Sequence, residues 1–283
     1  DPSFSDALNN LGTTYFRKGR YDEAISWYDK AIAAGPRPAW YLNRANAWYE
    51  NKAYFNATAD VETVLRALPD TIPALVLRGL ILARQREYPE AIEWFSRAIE
   101  KDSLNPEHMV NRGTLYYYMR RYEPSREDLN KALQLRPDNA EALNALAMVY
   151  SETGDQASAY RLISQALEVS PRHPHYLNNR GYIHLQSGNT DLADDDITAS
   201  MVIDPDNPWV YRNRGISYLR HGDPVSAERM FRQVLASDSS VEKAAWYLVE
   251  SLISQGRRSD ACALIRLIPA EDEVPADWRR GCR

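Results

Sequence analysis

The chain has 283 residues, of which 44% are hydrophobic and 26% charged, and a formal net charge of -5. That composition belongs to a folded, water-soluble chain rather than a disordered one, and its acidic balance repels phosphate backbones, so nucleic acid is not an expected partner. Two cysteines exclude a disulfide-rich scaffold and a multi-cysteine zinc site, and the longest apolar stretch, Pro73 to Ala83, is broken by Arg78 and falls short of the ~20 residues a spanning helix needs.

The chain opens at Asp1 with neither an initiator Met nor a basic-then-apolar leader, as a trimmed or mature form would. From there it is organised by a repeat. A small residue recurs at Gly12, Ala45, Gly79, Gly113, Ala147, Gly181 and Gly215, with Val249 in the last unit; the first interval is 33 residues and every later one is 34. Twelve residues after each lies a second small position: Ala24, Ala57, Ala91, Ser125, Ala159, Ala193, Ala227 and Ala261. Twelve further on, Pro36, Pro69, Pro137, Pro171 and Pro205, with Ser103 and Ser239 in the same series, mark where a helix stops and a connection begins. The units start near residues 5, 38, 72, 106, 140, 174, 208 and 242.

Each unit reads as two helices. Apolar residues recur at helical spacing in the first, as at Leu8, Leu11 and Tyr15, and in the second, as at Tyr21, Ala24, Ile25, Tyr28 and Ala31. Turn formers such as Lys18-Gly19-Arg20, Gly154-Asp155 and His221-Gly222-Asp223 separate them. Small residues at matched depth let the two axes approach closely, which predicts antiparallel helix pairs.

This 34-residue helix-turn-helix, with Leu11-Gly12, Tyr15, Ala24, Tyr28, Ala31 and Pro36, resembles the tetratricopeptide repeat. The resemblance covers eight units from about Ser5 to Glu273. It implies an all-α fold, a right-handed superhelical solenoid of antiparallel helix pairs, running through residues 1–283 as a single array, with residues 270–283 as a C-terminal capping tail. It also implies that positions 2, 5, 6, 9, 12 and 13 of each unit look into a concave groove. The groove set is Asn43, Asn46, Tyr49, Asn111, Thr114, Tyr117, Tyr118, Asn144, Met148, Asn178, Asn179, Tyr182, Trp209, Arg212 and Asn213, with Asn10, Trp246 and Tyr247 at its ends.

Amides and aromatics dominate that set. An amide both donates and accepts, so spaced asparagines suit the backbone of an extended peptide; the same asparagines can instead tie neighbouring helices together. Arg44, Arg112, Arg180 and Arg214 follow groove asparagines in a recurring Asn-Arg-Gly/Ala motif, but helical phasing turns them away from the groove, toward packing and inter-repeat hydrogen bonding. The tetratricopeptide clamp for a C-terminal carboxylate has no matching window, because position 5 never carries Lys.

No nucleotide, zinc-protease, serine-hydrolase or calcium-loop motif occurs, so no catalytic residue, metal or cofactor is expected. Arg172-His173-Pro174-His175 reads as a solvated connection, Asp194-Asp195-Asp196 as an exposed acidic face, and His184 as a core histidine with a hydrogen-bond partner. The expected function is non-catalytic: a scaffold binding an extended or helical protein segment, with a self-associating assembly protein or the recruitment domain of a larger enzyme as alternatives. Cys262 and Cys282 stand 20 residues apart. A tail folding back over the last unit brings them together as a disulfide, which points to an extracytoplasmic site such as a bacterial periplasm or surface; otherwise two unpaired thiols remain, as in a cytoplasmic protein.

Overall fold

A computed structural model describes residues 2–238, 241, 243–268, 278 and 280–282. The fold is all-α, built of tandem helix pairs. Its contacts divide it into two compact units, Asp1–Pro137 and Asp138–Arg283. The 34-residue period runs through this boundary, at which Pro137 is itself a member of the proline series.

The first unit contains α1 (Pro2–Arg17) and α2 (Tyr21–Ala34), α3 (Pro38–Glu50) and α4 (Tyr54–Ala67), α5 (Ile72–Arg84) and α6 (Tyr88–Lys101), and α7 (Pro106–Tyr118) and α8 (Tyr122–Leu135). The second contains α9 (Ala140–Glu152) and α10 (Gln156–Val169), α11 (Pro174–Gln186) and α12 (Thr190–Ile203), α13 (Pro208–Arg220) and α14 (Pro224–Ser237), and α15 (Ala244–Ser254) and α16 (Arg258–Ile265).

Local chemistry explains where the helices begin. Proline occupies the first turn of α3, α5, α7, α11 and α13, where its missing N–H costs nothing. Asn105, Asn139 and Asn207 accept from the amides of Glu107, Ala142 and Trp209 at 3.1, 2.9 and 3.1 Å, and Asp155 and Asp223 cap α10 and α14 in the same way.

The two small series are the contact points of each pair. Ala24, Ala57, Ala91, Ala159, Ala193 and Ala227 are wholly buried; Ser125, also buried, donates its hydroxyl to the Gly113 carbonyl at 2.7 Å. Gly12, Gly79 and Gly215 lie against the rings of Tyr28, Phe95 and Phe231, so closely that an added Cβ would meet ring carbons at 2.6, 2.9 and 2.6 Å. In the second and fifth pairs the residue opposite is Val61 or Ile163 rather than a ring, and Ala45 and Ala147 are tolerated. Large and small side chains thus interlock across each pair.

In the first unit α1 touches α3 and α3 touches α5; in the second, α9, α11, α13 and α15 touch in succession. First helices therefore lie side by side from α1 to α5 in the first unit and from α9 to α15 in the second. At the C-terminus Cys262 and Cys282 are joined by a disulfide with Cα atoms 5.2 Å apart, and Arg258 Nη2 donates to the Gly281 carbonyl at 3.0 Å. Of the expected capping tail, residues 270–277, 279 and 283 lie outside the described residues, as does Ser239 of the proline series.

Candidate functional site

Several of the amides expected to face a partner are engaged with one another. Asn43 Nδ2 donates to Asn9 Oδ1 at 2.9 Å, Asn179 Nδ2 to Asn144 Oδ1 at 2.8 Å, and Asn213 Nδ2 to Asn178 Oδ1 at 2.8 Å. In each case position 6 of one first helix donates to position 5 of the one before. Asn178 and Asn213 are buried, so their amides act as ties between helices. Asn46 donates to the Leu42 carbonyl of its own helix at 2.9 Å.

In the second unit, Arg212 is buried with its guanidinium between the rings of Tyr182 and Trp209, 4.8 and 4.6 Å from their centroids. Its Nε and Nη2 donate to Asn213 Oδ1 at 3.1 and 2.9 Å. Tyr182 and Met148 are buried as well. Burial pushes the Tyr182 hydroxyl pKa up, so it remains protonated and donates to Glu152 Oε1 at 3.1 Å.

The first unit leaves more of the expected set accessible. Asn111, Thr114 and Tyr117 on α7 are half-buried, and Tyr118 is 55% exposed. The preceding pair offers Val76 and Leu77 where other pairs offer asparagine, so no amide ladder reaches Asn111. Tyr118 stacks on Tyr88 at 5.8 Å and adjoins Tyr117 at 5.7 Å. On α3, Tyr49 accepts from Arg84 Nε at 3.0 Å, and that bond raises the arginine's pKa further above the working range.

The second unit also holds a cleft of about 340 Å³ where the ends of α9, α11 and α13 meet α15. Its walls include Glu152, Arg220, Trp246, Glu250 and Trp278. Lys243 Nζ donates to Glu152 Oε2 at 3.2 Å, Trp246 and Trp278 lie 6.1 Å apart, and burial raises the Glu250 carboxyl pKa. The expected groove set omits these charged residues, although Glu152 and Arg220 hold position 13 and Lys243 position 2, both groove positions.

The arginines face away from the first-helix row, as their phasing predicts. Arg44, Arg112 and Arg180 each grip a buried carboxylate on the second helix of their own pair, Asp60, Asp128 and Asp196, through two bonds of 2.6 to 2.8 Å. Asp196 is therefore not part of an exposed acidic face, and Asp194 accepts from Ser217 and Arg214 at 2.5 and 3.1 Å; of the three neighbours only Asp195 is exposed. His173 likewise departs from a solvated connection, because its ring stacks on Tyr176 at 3.8 Å. His184 is buried 3.9 Å from Asp196 and beside the Tyr160 ring.

Family models described as tetratricopeptide repeat match residues 5–37, 56–106, 145–208 and 212–275, and one described as TPR repeat matches 113–154. RNA polymerase II-associated protein 3 of Mus musculus is 29% identical over 143 residues, covering 50% of this chain and 16% of that protein. Peptidyl-prolyl cis-trans isomerase FKBP4 of Homo sapiens is 27% identical over 145 residues, covering 51% and 28%. The chain thus corresponds to only a minor part of either relative. Among solved structures, a tetratricopeptide repeat protein from Parabacteroides merdae superposes with a TM-score of 0.71 at 17% identity over 88% of this chain and 98% of that one. One chain of the APC/C hetero-tetramer Cut9-Hcn1 gives 0.69 at 15% over 87% of this chain and 56% of that one. At these identities the likeness is one of fold.

Proposed function

We propose, on the premise that this chain belongs to the tetratricopeptide repeat family, that it is a non-catalytic interaction module taking an extended or helical protein segment against the row of first helices. The observation that carries this reading is the set on α7: Asn111, Thr114 and Tyr118 are accessible, and no hydrogen bond to the described residues occupies the side chains of Asn111 and Thr114. Exposed aromatic area beside accessible amides and hydroxyls is what a protein segment uses for apolar contact and backbone pairing. On the second unit, taken by itself, Asn179 offers an acceptor of the same chemistry, since its carbonyl stays available when its Nδ2 is held by Asn144. Two relatives bear names that describe association with other proteins, RNA polymerase II-associated protein 3 and Hsp70-Hsp90 organizing protein 2.

The disulfide supports an oxidising, extracytoplasmic place of action. The test of the interaction reading is a comparison of immobilised wild-type chain with a variant carrying Asn111→Ala, Tyr117→Ala, Tyr118→Ala and Asn179→Ala, on extract from the source cells. The variant should keep its fold and lose the captured partner, each substitution weakening binding by ~1–2 kcal/mol. Undiminished capture by the folded variant would remove this face as the site.

A further inference from the structure

The interaction face on α7 makes no use of the cleft of about 340 Å³ in the second unit, whose charged side chains are unequally satisfied. Glu152 accepts from the Tyr182 hydroxyl and from Lys243 Nζ, at 3.1 and 3.2 Å, so Glu152 and Lys243 neutralise each other. Lys243 makes that contact from a left-handed backbone, at φ of 61°, where an L-residue is strained. Arg220 is exposed and keeps its water. Glu250 differs from all three. It is half-buried, and among the described residues no hydrogen bond or ion pair reaches its carboxylate. Burial raises its pKa against the pull of Arg220, and a carboxylate in that setting is stabilised by a cation arriving beside it.

The aromatic walls favour the same kind of guest. Trp246 stands one turn before Glu250 on α15, and Trp278 lies 6.1 Å from it with the ring planes 38° apart. Trp246 Nε1 is buried without a hydrogen bond, so this indole offers the cleft its carbon surface rather than a donor. Trp278 is four residues before Cys282, whose disulfide to Cys262 ties this part of the chain to α16. Indole faces attract organic cations. The same unit already uses that chemistry where Arg212 sits between the rings of Tyr182 and Trp209, whereas among the described residues no arginine or lysine lies over Trp246 or Trp278.

We propose that this cleft binds an organic ammonium ion, with Glu250 as the counter-charge, Trp246 and Trp278 as the aromatic surface, and Lys243 holding Glu152 out of competition. Ligand clefts run ~300–1,000 Å³, so this one suits a quaternary amine headgroup or the end of one lysine side chain, two sources of the same chemistry. An anion would find Lys243 already bonded to Glu152 and Glu250 opposing it. The site stands on second-unit residues alone and does not depend on the reading of α7.

Isothermal titration calorimetry on the whole chain, disulfide intact, would compare choline, its uncharged carbon isostere dimethylbutanol, butylamine and acetate. The wild type should bind choline or butylamine about tenfold or more tightly than dimethylbutanol, and acetate not measurably. Tighter binding of choline assigns a free quaternary amine as the guest, and tighter binding of butylamine a lysine side chain. Glu250→Gln should weaken amine binding about tenfold or more, with a melting temperature that stays level or rises because an unpaired charge leaves a half-buried position. Trp278→Leu should weaken it as well. Arg220→Gln should leave it level or tighter, because a like charge is removed. The proposal is overturned if no amine binds, if choline and dimethylbutanol bind equally, or if folded Glu250→Gln binds amines as the wild type does. Preference for acetate, abolished by Arg220→Gln, would make the cleft an anion site and overturns it too. None of these variants touches Asn111, Thr114, Tyr118 or Asn179, so failure here leaves the α7 reading standing, and failure there leaves the cleft.

Discussion

Arg112 and Asp128 show how one residue pair sets the chemistry of an interface between helices. The carboxylate is buried and is held by Arg112 Nε and Nη2 at 2.7 and 2.8 Å. The same two positions carry Arg and Asp in the second, fourth and sixth pairs, but Arg78 faces Trp94, Leu146 faces Leu162 and Arg214 faces Met230 in the third, fifth and seventh. Lacking a carboxylate in their own pair, Arg78 turns back to Thr58 and Arg214 to Asp194, each in the preceding pair. Arg112→Ala should lower stability by about 2–4 kcal/mol, because it strands a buried charge. Arg112→Leu with Asp128→Leu, the arrangement present in the fifth pair, should recover most of that loss in denaturant titrations. A double variant no more stable than the single one would show that the ion pair is itself stabilising. His108 gives the residue-scale pH dependence. It is buried with neither ring nitrogen hydrogen-bonded, and burial lowers its pKa below the ordinary 6.5, against the opposing pull of Asp102 and Glu107. The folded state then binds fewer protons than the unfolded one, so this contribution is complete above pH 6.5 and is lost as pH falls below it. Melting temperature should therefore fall on acidification through that range, and His108→Leu should flatten the fall.

At the scale of a helix pair, the size of one side chain limits the size of another. Gly215 faces Phe231 with no room for a methyl group, whereas Ala147 stands opposite Ile163. Gly215→Ala should cost ~1–3 kcal/mol by overpacking, and Phe231→Ile in the same chain should restore part of it by supplying the combination the fifth pair already uses. Chemical denaturation of the three variants measures this; additive losses would show that the two residues do not share the contact. The left-handed turns add a second constraint. Gly188 has φ of 78° with open space around it, so Gly188→Ala is expected to destabilise by about 1 kcal/mol through backbone strain alone.

For the whole molecule, repeat architecture makes stability a sum of local terms, so the disulfide should act where it sits. It ties α16 to the C-terminal Cys282, with a sequence separation of 20, and such a closure contributes roughly 3 kcal/mol in the chain-entropy model. Cys262→Ser with Cys282→Ser should raise hydrogen exchange in α16 and leave protection in α1 to α8 unchanged. Uniform loss of protection would mean that the pairs unfold as one cooperative body. Within each unit most contacts join a pair to its immediate neighbours; the Lys243–Glu152 bond, which links the eighth pair to the fifth, is an exception.

Helix pairing was legible in the sequence because its determinants lie within one period. Gly12 and Ala24, the proline series and the phase of Arg112 each depend on spacing along a helix or across one turn, which 3.6 residues per turn converts directly into direction. The candidate face was legible only in outline. Phase shows that Asn178 and Asn213 share a side of the row, but the distance between neighbouring first helices decides that they bond to each other and are buried while Asn111 stays accessible. The union of Cys262 with Cys282, the burial of Asp196 under Arg180 and the cleft at Trp246 belong to the tertiary structure for the same reason. Each depends on how closely separate elements approach, and periodicity in one dimension carries direction without distance.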